Sequence, residues 1–208
     1  MNIKNDNNQY PIFWEVCKEY QLVLGIALVA SLFFNVFYFF FNNIGVTGTD
    51  AIEYHQASLV FQKYGFGYIF QDAPITLWRL PVLPLFLAIC ANTNVYCLVQ
   101  IGLSYLLPLW IFFIFLALKF DKQESLYVAL FSMFIPYLNI AKCGVGTEFL
   151  QVFFFTYITY KILYKAYDVW LYIIVTLFCF LRAEGFIIAI VVFALTTLSN
   201  NKNRLCGY

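Results

Sequence analysis

The chain has 208 residues, of which 63% are hydrophobic and 11% charged, with 12 Lys and Arg against 11 Asp and Glu. This composition, with a mean hydropathy of +0.79, lies far outside the range of soluble domains and points to an integral membrane protein. A formal net charge of +1 gives no reason to expect a nucleic-acid partner.

At about 20 residues per spanning helix, the length holds about six spans and leaves no room for a separate soluble domain. Cys17, Cys90, Cys97, Cys143, Cys179 and Cys206 are scattered, with no Cys-x-x-Cys pair, and the sole histidine is His55. Neither a zinc site nor a disulfide framework is indicated; buried, unpaired thiols are the simpler reading.

Residues 1–20 mix Lys4, Asp6, Glu15, Lys18 and Glu19 with Tyr10, Phe13, Trp14 and Tyr20, aromatics suited to a membrane interface. Residues 21–41 carry no charge, exceed a signal-peptide core and lead to no small-residue cleavage site, so they are read as a retained first span. A large external loop, 42–94, follows. Gly45 and Gly48 mark a turn. Ala57, Val60, Phe61 and Tyr64 then recur at i, i+3, i+4 and i+7, opposite His55, Gln56, Gln62 and Lys63. That helix is expected to lie on the membrane surface and to end at Gly65 and Gly67. Residues 72–79 read as a loop, and 81–91 as apolar but too short to cross. Apolar runs at 95–118, 125–140, 149–164, 169–181 and 185–198 give five further spans, before a tail at 199–208.

The basic residues orient this arrangement. If 81–91 does not cross, Lys4, Lys18, Lys119, Lys122, Lys161, Lys165, Lys202 and Arg204 share one side, against Lys63, Arg79, Lys142 and Arg182 on the other. The positive-inside bias then makes both termini cytoplasmic. Asp50, Glu53, Asp72, Arg79, Lys142, Glu148, Arg182 and Glu184 consequently share the external face. Polar chemistry beside membrane spans marks a candidate site.

Each of these residues has a second reading. Asp50 with Glu53 three residues on is a helix-capping pattern, and a carboxylate held at the surface can also act as a base. Arg79, ahead of Pro81 and Pro84, is either a snorkelling anchor or a phosphate partner. Glu148 opens a helix after Gly144 and Gly146, which suits the positive end of its dipole. Arg182 and Glu184 flank a tight turn and can neutralise each other. His55 reads as solvated, and Asp72 with Pro74 as a turn. The sequence has no serine–histidine–acid triad, phosphate-cradling glycine loop or metal-ligand spacing. No cofactor is expected, although external carboxylates can hold a divalent cation that spacing does not reveal.

With Asp50, Tyr54, Ala57, Gly65, Arg79, Pro81 and Pro84 following the first span, the chain resembles the GT-C superfamily of membrane glycosyltransferases. That group includes protein O-mannosyltransferases and the lipid A aminoarabinose transferase. Two further features match in the family's order: Glu148 in GVGTEFLQVF, and the hairpin LFCFLRAEGFIIAI around Arg182 and Gly185. The likeness runs through most of the chain after residue 20 and corresponds to the family's N-terminal module. Ala51 departs from it, standing where many members carry a second acid.

The resemblance implies an all-α polytopic bundle in a bacterial cytoplasmic membrane. It also implies inverting transfer of a sugar from a polyprenyl-phosphate donor to a lipid, glycan or protein acceptor at the external face. Asp50 would be the base. Arg79, Lys142 and Arg182 would hold the phosphate, and Glu148, with Glu53 and Tyr54, would face the same cavity. The alternatives are a non-catalytic membrane subunit, serving lipid-linked-sugar translocation or assembly with a second membrane subunit, and a truncated, inactive glycosyltransferase remnant.

Overall fold

The computed structural model describes residues 15, 17–41, 49–65, 81–135, 140–141 and 144–205, and among them every regular element is a helix. In chain order these are α1 (Gln21–Phe41), α2 (Thr49–Tyr64), α3 (Val82–Cys90), α4 (Thr93–Ser104) and α5 (Leu107–Ala117), then α6 (Lys122–Ser132), α7 (Glu148–Leu163), α8 (Val169–Cys179) and α9 (Glu184–Leu205). The all-α expectation holds.

Local chemistry sets several of the boundaries. Asn92 caps α4 by accepting from the Asn94 N–H at 2.7 Å. Asp121 and Glu124 form a reciprocal capping box at the start of α6. Asp168 caps α8 through the Leu171 N–H at 3.0 Å. Helices α4 and α5 are one stretch broken at Tyr105 and Leu106, because Pro108 has no N–H for the Ser104 carbonyl and its ring crowds that oxygen. Gly65 ends α2 at φ +76°, as its position in the sequence suggests. Ala91, Lys119 and Lys165, which follow α3, α5 and α7, adopt left-handed φ values of 56°, 71° and 54° without being glycine.

The spans anticipated from hydropathy are met unevenly. Thr93–Ala117, 25 residues, is the one stretch among the described residues that is both long and apolar enough to cross a membrane. The shorter apolar helical stretches are Gln21–Phe37, Val169–Cys179 and Glu184–Leu198. The run at 125–140 is not one helix. It begins early, at Lys122, and stops at Ser132, 11 residues in all, which is about 16 Å. Pro136 ahead discourages continuation. Helix α8 is equally short, with 11 residues.

The α2 stripe is also shifted from the expected one. Ala51, Tyr54, Ala57, Ser58 and Phe61 are buried, while Val60 is half-buried and Tyr64 exposed. Placing Ala51 and Tyr54 on this face rotates the stripe toward the start of the helix. It packs on α3, and Gln62 donates to the Ala88 carbonyl at 3.3 Å.

Helix α7 organises the remainder, contacting α4, α5 and α8, while α8 in turn contacts α9. Phe149, Leu150, Phe153 and Ile158 on α7 join Leu83, Tyr96, Leu171 and Phe178 in the main apolar core. A second cluster gathers Phe112, Phe113, Leu126 and Ala129, with Tyr20 and Tyr164 against it. Asn35 donates to the Tyr105 hydroxyl at 2.8 Å within the bundle, while the ion pairs among the described residues fall at two ends. One end holds Lys122 paired with Glu15 at 3.2 Å and Tyr164 donating to the Phe113 carbonyl at 2.9 Å. The other holds the starts of α7 and α9. No disulfide joins the described cysteines Cys17, Cys90, Cys97 and Cys179.

Candidate functional site

The second end is built by three ties between segments distant in sequence. Tyr96, fully buried on α4, donates its hydroxyl to the Gly146 carbonyl at 3.1 Å. That bond fixes the bend from which α7 starts. The Val82 N–H donates to the Phe180 carbonyl at 3.3 Å, tying α3 to the α8–α9 turn. Arg182, in that turn, donates through Nη1 to the Thr147 hydroxyl at 3.2 Å. The N-termini of α7 and α9 are thereby held together.

Arg182 also grips Glu184, through Nε at 3.4 Å and Nη2 at 3.3 Å. With side chains 37% and 55% exposed, this pair is screened by solvent and adds little to stability. Its value is positional. The hydrogen-bonded Glu184 carboxylate chiefly raises the guanidinium pKa, against the opposing effect of burial, with Tyr54 and Glu148 close enough to add to the rise. Glu184 itself is lowered by its backbone N–H and by Arg182. Arg182 and Glu184 pair across the turn, as their spacing in the sequence suggests, and Tyr54 and Glu148 lie within electrostatic reach of Arg182.

Gly185 makes the turn possible, because a Cβ there would stand 2.4 Å from the Phe178 carbonyl oxygen and 2.6 Å from the Cys179 nitrogen. The start of α9 packs directly on the backbone that ends α8. Gly146 has a different role: a Cβ at that position would fall 2.1 Å from Glu148 Oε2. The Glu148 carboxylate therefore folds back over the bend that precedes its own helix.

Between α7 and α9 runs a groove of about 460 Å³. Gln151, Val152 and Phe155 extend along one α7 face, Ile188 lines the α9 side, and Phe178 of α8 contributes to the lining. Glu148 and Glu184 stand at the first residues of the two flanking helices. The result is an apolar trough with carboxylates at one end.

Of the residues proposed from sequence, Tyr54, Glu148 and Arg182 come together. Asp50 and Glu53 lie on the first turn of α2, Asp50 exposed and Glu53 half-buried. Since Thr49 is already helical, Asp50 sits inside the helix and not at the cap that the Asp50–Glu53 spacing suggests. The positive end of the helix dipole still favours its charge. Arg79 and Lys142, and with them Asp72, lie outside the described residues.

Tyr96, Thr147 and Gln151 were not anticipated. Tyr96 falls inside an apolar run and Thr147 is a small residue beside a bend, so neither carries a pattern that would mark it. Among the described residues, no group of three or more His, Cys, Asp or Glu side chains gathers closely enough to hold a metal ion. Nothing matches the chain among protein-family models, curated proteins or solved structures.

Proposed function

We propose that the chain is a multi-span membrane glycosyltransferase that moves a sugar from a polyprenyl-phosphate donor to an acceptor at the external face. The observation that carries this reading is the Arg182–Thr147 bond of 3.2 Å, which sets the turn before α9 against the start of α7 where Glu148 stands, with Tyr54 of α2 within electrostatic reach of Arg182. Asp50 stands one helical turn from Tyr54 on α2.

Membrane placement is supported by the outer surface, where Ile89, Phe40, Phe131, Ile190 and Phe193 are each more than 70% exposed. Water would not tolerate so many large apolar side chains. In this reading the chain has about six spans in a bacterial inner membrane, both termini cytoplasmic and Tyr54, Glu148 and Arg182 facing outward; α6 and α8, at 11 residues each, would cross only where the bilayer is thinned or neighbours shield them.

In the proposed reaction Asp50 takes the proton of the acceptor hydroxyl as its oxygen attacks the anomeric carbon. The bond from that carbon to the phosphate oxygen breaks, and its electron pair leaves on the lipid phosphate. Arg182, with Arg79 and Lys142, offsets the growing negative charge. Glu148 and Glu53 orient the acceptor. Lipid phosphate is a competent leaving group, so no strong general acid is required.

A non-catalytic membrane subunit is favoured by one specific observation: Arg182 already spends three of its donors on Glu184 and Thr147. The two readings separate in one assay. Membranes containing the chain are supplied with labelled sugar on polyprenyl phosphate, beside Asp50→Asn at matched expression. Transfer that the variant abolishes supports the enzyme; transfer that the variant retains removes Asp50 as base. Absence of transfer by folded wild-type protein, with every donor tried, favours the subunit.

A further inference from the structure

We propose that the α7–α9 groove is a binding site for a zwitterionic aminophospholipid, with the acyl chain in the trough and the head group among Glu148, Glu184 and Arg182. The site lies between two flanking helices whose N-termini are held at the same level by the Arg182–Thr147 bond of 3.2 Å. From Glu148 to Phe155 the α7 wall descends about 10 Å. Along that descent the lining changes from carboxylates to Val152, Phe155, Phe178 and Ile188. This gradient matches an amphiphile and not a small polar solute.

The charges select the head group. Among the described residues two carboxylates, Glu148 and Glu184, line the mouth, and the Arg182 guanidinium stands beside it on Glu184 and Thr147. Among the described residues Glu148 has neither an ion pair nor a hydrogen bond to its carboxylate, and Gly146 leaves the space into which that carboxylate folds. A primary ammonium offers it three N–H donors. Arg182 uses three of its five donors within the protein, so two remain for the phosphate of the same head group. A head bearing phosphate alone would leave the Glu148 and Glu184 carboxylates of the lining without a counter-charge from the ligand. A quaternary ammonium would bring charge but no N–H. The primary-amine zwitterion satisfies both signs.

The proposal rests on the membrane placement given above and not on sugar transfer. Placement is tested separately, by whether the chain requires detergent to leave the membrane. For the site, detergent-purified protein is titrated with phosphatidylethanolamine, phosphatidylcholine or phosphatidylglycerol, and lipid retention is read by native mass spectrometry. Phosphatidylethanolamine is expected to bind about tenfold more tightly than either other lipid, the scale of one charge-assisted hydrogen bond. Glu148→Gln should abolish that preference while keeping the side-chain shape. Gly146→Ala provides a second route, since its methyl group displaces the Glu148 carboxylate without deleting it, and the same loss is expected even if Glu148→Gln fails to fold. Equal retention of the three lipids by wild type overturns the proposal. So does preference for phosphatidylglycerol, which would mark an anion site at Arg182, or a preference that survives in the folded variants.

Discussion

Thr147 occupies the N-cap of α7, yet its hydroxyl makes no capping bond and instead accepts from Arg182 Nη1, 35 residues away, at 3.2 Å. A residue type that ordinarily stabilises its own helix is used to join two helices. Thr147→Ala should therefore lower stability by about 1 kcal/mol, and Thr147→Ser should restore it. Melting temperatures in detergent read both. Equal stability of the alanine variant and wild type would show that the bond contributes nothing.

Two glycines should respond in opposite directions to the same substitution. Gly185→Ala places a methyl group 2.4 Å from a backbone oxygen, and overpacking of this kind costs about 1–3 kcal/mol. Gly102 lies within α4 with nothing within 4 Å of a built Cβ. Gly102→Ala should gain up to about 1 kcal/mol in helix propensity. Thermal unfolding of the two variants side by side tests the contrast.

Asp168 supplies the acid-sensitive feature at the other end of the bundle. Burial pushes its carboxyl pKa up, but hydrogen bonds from Lys161 and the Leu171 N–H, with the Lys161 charge, outweigh burial and leave it below the ordinary value. A carboxylate lowered on folding adds stability above its unfolded pKa and loses it as pH falls through the folded one. Wild type should thus exceed Asp168→Asn in melting temperature near neutral pH, and the difference should vanish in acid. Asparagine still caps, so the variant isolates the charge. Asp168→Ala should cost about 1 kcal/mol more through the lost cap.

Gln100 is fully buried on α4, and among the described residues neither its amide nitrogen nor its oxygen meets a partner at full hydrogen-bond geometry, although the Tyr96 side chain lies near enough to interact with it. Such a group costs about 1–3 kcal/mol. Replacing it by the similarly shaped methionine should raise the melting temperature. A fall would show that the amide has a partner in the membrane-embedded protein.

The helices were legible wherever a charge-free run met a strong local stop. Gly65 ends α2 where expected, and Asn92, Asp121 and Asp168 cap α4, α6 and α8, although in the sequence the last two stand out only as parts of hydrophilic breaks and the first not at all. The break at Tyr105 was not read, although Pro108 announces it, because hydropathy averages over a kink. The α2 register was misjudged for another reason: Ala51, Tyr54 and Phe61 bury only because α3 covers that face. Arg182 and Glu148 were visible as rare charges in an apolar chain, whereas Tyr96 was hidden, since one tyrosine of 16 carries no signal until its hydroxyl finds Gly146.

Lys119 and Lys165 follow α5 and α7 with left-handed φ values of 71° and 54°. A glycine at either position would relieve roughly 1 kcal/mol of strain. It would also remove a cation from the negative end of a helix dipole and, in the proposed orientation, from the cytoplasmic membrane surface. At these two positions the demands of folding and of insertion oppose each other: the sequence that relaxes the backbone most would also be freer to enter the bilayer upside down.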